Sequence, residues 1–168
     1  MTVSLKRNCF LKCICAGLFL LLSHLVSIAQ ESSVPLSVVS LQDISFGAFF
    51  QGSSGGTVTI SPDGSRLVSG DIIEANISGS SYCPAIFELE ADPGTLISIL
   101  KGTDTSMTGN NGGSVNLQIG DSDTESPIII PISGRIQVRM GGILTVGNPQ
   151  TNPSGDYSGS FEVTFIQE

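Results

Sequence analysis

The sequence contains no tryptophan and two tyrosines, and its one histidine, His24, stands near the beginning. These scarcities exclude chemistry before they suggest any. Beyond residue 24 no Ser–His or Cys–His nucleophilic pair can exist, nor any histidine-based zinc site. Cysteine is equally sparse. Of four, Cys9, Cys13 and Cys15 lie in the opening stretch, and only Cys83 follows. That leaves neither a cysteine cluster nor an intramolecular disulfide downstream. Set between Tyr82 and Pro84, Cys83 reads as a small buried apolar residue, with an intermolecular disulfide as its other use.

The opening stretch reads as a leader. Lys6, Arg7 and Lys12 precede an apolar run from Ile14 to Leu22, and Ser27-Ile28-Ala29 offers small residues for a signal peptidase. The run is shorter than the ~20 residues of a comfortable membrane span. A lipoprotein is disfavoured, because the early cysteines come before or at the start of the apolar run, not after it. The expectation is a signal peptide over 1–29, followed by export to the periplasm, cell surface or medium. Residues 30–168 then carry four basic side chains against fifteen acids, a net charge of −11. Such a surface disfavours nucleic acid and anionic lipid, both of which call for clustered Lys and Arg, and no stable membrane insertion is expected after cleavage. The remaining 139 residues suit one domain with a core large enough to need no staples.

No apolar spacing of three and four is sustained after the leader, and Gly, Ser, Thr, Asn, Asp and Pro interrupt the chain throughout. Short β-rich runs fill the intervals: 36–47, 57–62, 66–69, 71–78, 84–91, 95–100, 114–120, 127–133, 135–140, 142–147 and 159–167. So many strands at short spacing predict an all-β sandwich. Period-two alternation assigns faces. Phe87, Leu89 and Ala91 point inward while Glu88 and Glu90 point out; Phe161, Val163 and Phe165 point inward while Glu162 and Thr164 point out. Val58 and Ile60 share a face opposite Thr57, Thr59 and Ser61. After them Pro62-Asp63-Gly64-Ser65 supplies turn chemistry. Ahead of them Gly52 to Gly56, including Gly55 and Gly56, reads as a flexible loop. It is not a phosphate cradle, because no helix follows it. Two longer loops stand out, 101–114 and 147–159.

The remaining motifs carry little chemistry. Fifteen acids leave a glycosidase-like carboxylate pair formally open, but they alternate with apolar residues as on a solvated face, and no tryptophan lines a sugar cleft. No enzyme and no cofactor is expected. Asp121, Asp123 and Glu125 could hold calcium, yet Ser126 and Ile132 break the EF-hand pattern, so an acidic solvated turn is the plainer reading. Asn76-Ile77-Ser78 matches a glycosylation sequon in a segment that reads as strand. Tyr82 and Tyr157 each stand beside a turn, open to loop capping or to sugar stacking.

"FGAFF", then "GGTVTISPDGSRLVSGD", "PAIFELEADPGTLISI" and "MGGILTVGNPQTNPSGDYSGSFEVTF" together resemble the exported bacterial domain-of-unknown-function family 4402, over roughly residues 44–166 in the same order. The closing Gly155, Tyr157 and Gly159 block belongs to that likeness. The resemblance implies an immunoglobulin-like antiparallel β-sandwich, similar in size and end pattern to pilus subunits and spore-coat-U-type proteins. It implies no catalytic activity. Pilins commonly place a tyrosine next to last, where this sequence has Gln167.

The domain reading is therefore a signal peptide over 1–29, an N-terminal strand or extension over 30–41, and the sandwich over 42–168. Within the extension Val34, Leu36 and Val38 alternate with Pro35 and Ser37, which marks an interaction strand that either donates to a neighbouring subunit or begins its own sandwich. Function reads first as a non-enzymatic surface subunit, pilin-like or coat-like, whose partners are copies of itself or other surface or pilus subunits. The alternative is a secreted binding module that recognises a glycan or protein through loops 101–114 and 147–159.

Overall fold

Alternating apolar residues and frequent turn formers produce strands throughout the computed structural model, which describes residues 33–168. The signal peptide assigned to 1–29 lies outside the described residues. Among the described residues there are thirteen strands and no helix. In chain order they are β1 (Ser37–Gln42), β2 (Ser45–Phe46), β3 (Phe49–Ile60), β4 (Arg66–Glu74), β5 (Tyr82–Cys83), β6 (Ala85–Glu90), β7 (Leu96–Lys101), β8 (Thr105–Gly109), β9 (Ser114–Ser122), β10 (Ile128–Ile129), β11 (Arg135–Val146), β12 (Tyr157–Ser158) and β13 (Val163–Gln167). All pairings are antiparallel.

The large sheet runs β1-β6-β11-β9-β8-β12, with β3 and β4 attached through β11. Strand β11 holds it together. Its first half pairs with β6 and its second half with β3, while β9 occupies its other edge. A small sheet, β10-β7-β13, faces it, and β2-β5 forms a short ribbon. The two sheets meet through aromatic rings: Phe87 of β6 lies 5.5 Å from Phe165 and 6.5 Å from Phe161, centroid to centroid. This is an antiparallel β-sandwich, as the sequence predicts.

The core is the inward set of this alternation. Val58, Ile60, Leu89, Ile97, Ile128 and Val138 are almost completely buried, and each removes apolar surface from water at roughly 25 cal/mol per Å². On β9 the buried Val115, Leu117 and Ile119 alternate with exposed Asn116 and Gln118. The inward assignments for β6 and β13 hold, but Phe161, Val163 and Phe165 are half-buried. The reason is topological, since β13 pairs only with β7 and leaves its other edge open.

Several boundaries differ from the sequence reading. The run 66–69 and the first part of 71–78, as far as Glu74, join as β4, because Gly70 itself pairs with Gly56 of β3; 135–140 and 142–147 join as β11, which ends at Val146, because the ladder to β9 spans Gly141 with a register shift between Met140 and Gly142. Gly52 to Gly56 is part of β3, not a loop, with a register shift between Gln51 and Gly56. Asp71 steadies it by accepting from the Ser54 N–H at 3.1 Å and the Ser53 hydroxyl at 3.3 Å. Gly55 adopts φ +71°, and a Cβ there would stand 2.3 Å from the carbonyl oxygens of Val146 and Gly147. Only glycine meets both demands.

The turn after β3 forms as Pro62-Asp63-Gly64-Ser65 suggests. The Gly64 N–H donates to the Ser61 carbonyl at 2.9 Å, and the Ser61 N–H to the Ser65 carbonyl at 2.9 Å. The backbone N–H of Ser65, and then its hydroxyl, donate to Asp63 Oδ1 and hold that carboxyl below the usual carboxylate range. A depressed folded pKa gives a contribution that is present above about pH 4 and lost as pH falls through the folded value. Gly64 has φ +87° with open space around a would-be Cβ, its nearest atom being Pro84 Cδ at 3.9 Å. Gly64→Val is therefore expected to destabilise by about 1–2 kcal/mol through backbone strain alone. Asp63→Asn, which keeps an acceptor for Ser65, should change the denaturation midpoint little at pH 7 and remove only the part of the acid-range dependence that Asp63 contributes. Equal losses in the two variants under urea denaturation would contradict this assignment.

Candidate functional site

The two long loops are structured, and they are joined. Loop 101–114 contains β8 and loop 147–159 contains β12, which pair with each other. Neither strand is legible in the sequence, since β8 is Thr, Ser, Met, Thr and Gly and β12 has two residues. Asn110 and Asp156 exchange hydrogen bonds: the Asn110 N–H donates to the Asp156 carbonyl at 2.9 Å, and the Asp156 N–H to Asn110 Oδ1 at 3.0 Å. Asn111 Nδ2 donates to the Ser154 carbonyl at 2.8 Å.

Asn152 anchors this lobe from inside. It is a polar residue only 4% exposed. Its Oδ1 accepts from the Gly147 N–H, and its Nδ2 donates to the carbonyls of Ser114 and Thr151. A buried amide so fully paired fixes a loop at little net cost. The Gly155, Tyr157 and Gly159 block closes the lobe by packing. Tyr157 rests its ring against Gly109 and donates its hydroxyl to the Pro153 carbonyl at 2.7 Å, while Gly155 abuts Asn110 and Gly159 abuts Met107. Tyr157 thus caps the loop as a corner tyrosine would.

Between this lobe and segment 44–51 lies a cleft of about 450 Å³, within the size range of small-ligand sites. Phe46, Phe49 and Phe50 line one side, and Asn152, Asp156 and Tyr157 the other, with Met107 between. Gln51 reaches across and donates from Nε2 to the Gly147 carbonyl. Sequence reasoning selects loop 147–159 but not its opposite wall, and from loop 101–114 only Met107 contributes.

Beneath the 44–51 wall sits Arg66, a residue that the sequence marks only as the start of a strand. Its side chain is 2% exposed. Nη1 donates to the carbonyls of Phe46 at 3.2 Å and Ala48 at 3.1 Å, Nη2 lies 3.7 Å from Glu74 Oε2, and the guanidinium carbon lies 4.4 Å from the Tyr82 ring centroid. Tyr82 therefore partners a cation instead of simply capping a turn. Nε and Nη2 are buried without a hydrogen-bond partner among the described residues. This buried cation shapes one wall of the cleft without lining it.

The other sequence candidates disperse. Asp121 pairs with Lys101 at 3.0 Å, Asp123 accepts from the Arg139 N–H at 2.9 Å, and no acidic, histidine or cysteine group suited to a metal forms among the described residues. A cleft of about 410 Å³ beside this turn is lined by Ile99, Lys101, Asp121, Glu125 and Met140, among others. Cys83 is half-buried, not buried, because its β2-β5 ribbon lies outside the two main sheets. Asn76-Ile77-Ser78 is exposed and lies past the end of β4, where glycines and polar residues end the ladder, so it is not a strand. In the N-terminal segment only Leu36 packs against the core. Val34 and Val38 are exposed, and β1 pairs with β6 of its own chain.

The family model described as "Domain of unknown function (DUF4402)" matches residues 36–166. The chain belongs to this family. No curated protein and no solved structure matches it. In this member of the family the matched span runs from Leu36, just before β1, to Ile166 in β13, and so contains both sheets and the cleft.

Proposed function

We propose that the chain is a non-enzymatic exported structural protein, a pilin-like or coat-like surface subunit that associates with copies of itself through strand contacts. The edge strand β1 carries this reading. It is joined to the sheet on one side only, by β6, and Val38, Val39 and Leu41 are each more than two-fifths exposed. An apolar edge with free backbone donors and acceptors is a template for another chain, and monomeric proteins usually blunt such edges with lysine or proline. No lysine or proline occurs within β1. A second open edge, β13, exposes Ile166.

The chain from Gln30 onward should therefore form oligomers whose mass rises with concentration in light scattering. Placing charges on the edge with Val39→Lys and Leu41→Lys should return it to monomer with the fold intact, because both side chains are exposed. Deleting residues 30–41 should instead expose β6 and Leu89 and lower stability. A wild-type protein that remains monomeric up to millimolar concentration would overturn self-association.

A further inference from the structure

The outer face of the small sheet offers a contact surface that edge pairing leaves unused. On β7 Ile97 and Ile99 turn toward the core, so Leu96, Ser98 and Leu100 turn away from it. Directly opposed residues share a face, and the ladders extend this outward row to both sides. Ile129 of β10 stands opposite Leu96, while on β13 Ile166 stands opposite Ser98 and Thr164 opposite Leu100. The aliphatic members are well exposed, Leu96 by 39%, Leu100 by 59%, Ile129 by 63% and Ile166 by 45%. No lysine or arginine stands among these outward positions. The Ser98 hydroxyl is already committed to Glu168 at the border.

What covers such a face follows from its charge and from the β1 contact, on which this inference rests. The face holds no charge by which to select a foreign partner. A copy brings the same uncharged rows, so no like charges meet at the centre although residues 30–168 carry −11. Antiparallel pairing of β1 with β1 of a second copy is isologous and closes at two. Its twofold axis stands perpendicular to the joined sheet, so both small sheets lie on one side of it and turn their outer faces the same way. One face alone is small. Three strands about 4.8 Å apart, along the six residues of β7 at about 3.4 Å each, make a patch on the order of 300 Å², against roughly 800 Å² per partner in a stable complex. A pair presents two such patches, and the second contact then forms within the complex that the first has made. We propose that pairs joined through β1 stack face to face on β10-β7-β13, as sheets do inside a sandwich, to give an assembly of four copies.

Sedimentation velocity of the chain from Gln30 onward, from micromolar to millimolar concentration, tests this. The mass should rise from one copy through two to four. Leu100→Lys with Ile129→Lys should stop at two, or need at least tenfold more protein to reach four, with the melting temperature unchanged because both side chains are more than half exposed. Leu67→Lys, comparably exposed on the outer face of the large sheet, should assemble as wild type does. Wild-type protein that stops at two copies would overturn the stacking and leave the β1 contact standing; co-sedimentation of that pair with phosphatidylcholine vesicles would give the face to a lipid surface instead. The stacking also falls if the face variant reaches four copies at the wild-type concentration, or if Leu67→Lys blocks assembly equally. A face variant that drops to monomer, while Val39→Lys with Leu41→Lys still pairs, would remove the β1 contact and leave the face as the one that joins copies.

Discussion

Replacing Arg66 with alanine is expected to lower the stability of the sandwich by about 3 kcal/mol, mostly because two carbonyls lose a donor. The guanidinium donates to the carbonyls of Phe46 and Ala48 and stands over the Tyr82 ring. Truncation leaves both carbonyls short of a donor, at about 1–3 kcal/mol for each one that water cannot reach, and removes a cation–π contact of roughly 0.5–1 kcal/mol. Glu74 contributes less, since its side chain is 47% exposed at 3.7 Å, and Glu74→Gln should cost under about 1 kcal/mol. Arg66→Lys should recover less than half the loss, because one ammonium cannot fork to two carbonyls and stack on a ring. Urea denaturation of the three variants decides the matter. An alanine variant within about 1 kcal/mol of wild type would mean that the buried cation is not the tie between β4 and segment 46–48. Since whole domains are stable by only about 5–15 kcal/mol, the expected loss should be easy to detect.

Arg66 also marks where sequence reasoning stops. The faces of β6, β9 and β13 are legible because period two is a local property, and the turn at Pro62-Asp63-Gly64-Ser65 is legible because φ preferences are local. A buried arginine is identified only by partners from other segments, here Phe46, Ala48, Glu74 and Tyr82, and its own neighbours in sequence resemble any polar strand start. The cleft is harder still. Gln51 and Gly147, which bond across it, are 96 residues apart, and no pattern along the chain brings them together. Glycines mislead in the opposite direction. Gly70 and Gly141 look like breaks, yet each sits inside a strand where two ladders approach closely, so local punctuation was overridden by tertiary pairing. The scarcity of histidine and cysteine, by contrast, restricts catalytic chemistry whatever the fold.

The join between the two sheets should depend on Phe87 more than on either ring of the closing segment. Phe87 belongs to the large sheet, and it meets Phe165 at 5.5 Å in a tilted arrangement and Phe161 at 6.5 Å edge-on, both carried by the β13 side of the small sheet. Phe87→Ala removes both contacts and should cost about 3–4 kcal/mol. Phe165→Ala removes one, from a half-buried position on an edge strand, and should cost about 2 kcal/mol, below the usual range for a fully buried phenylalanine. Glu162→Ala, on the wet face of the same segment, should stay within about 0.5 kcal/mol of wild type. Because Phe87 and Phe165 touch, the double variant should lose less than the sum of the singles, with a coupling of about 1 kcal/mol. Chemical denaturation of the four variants measures each term. Additivity within about 0.3 kcal/mol would show that β13 is held by its ladder to β7 alone, in which case the closing strand could leave the sandwich without disturbing the large sheet.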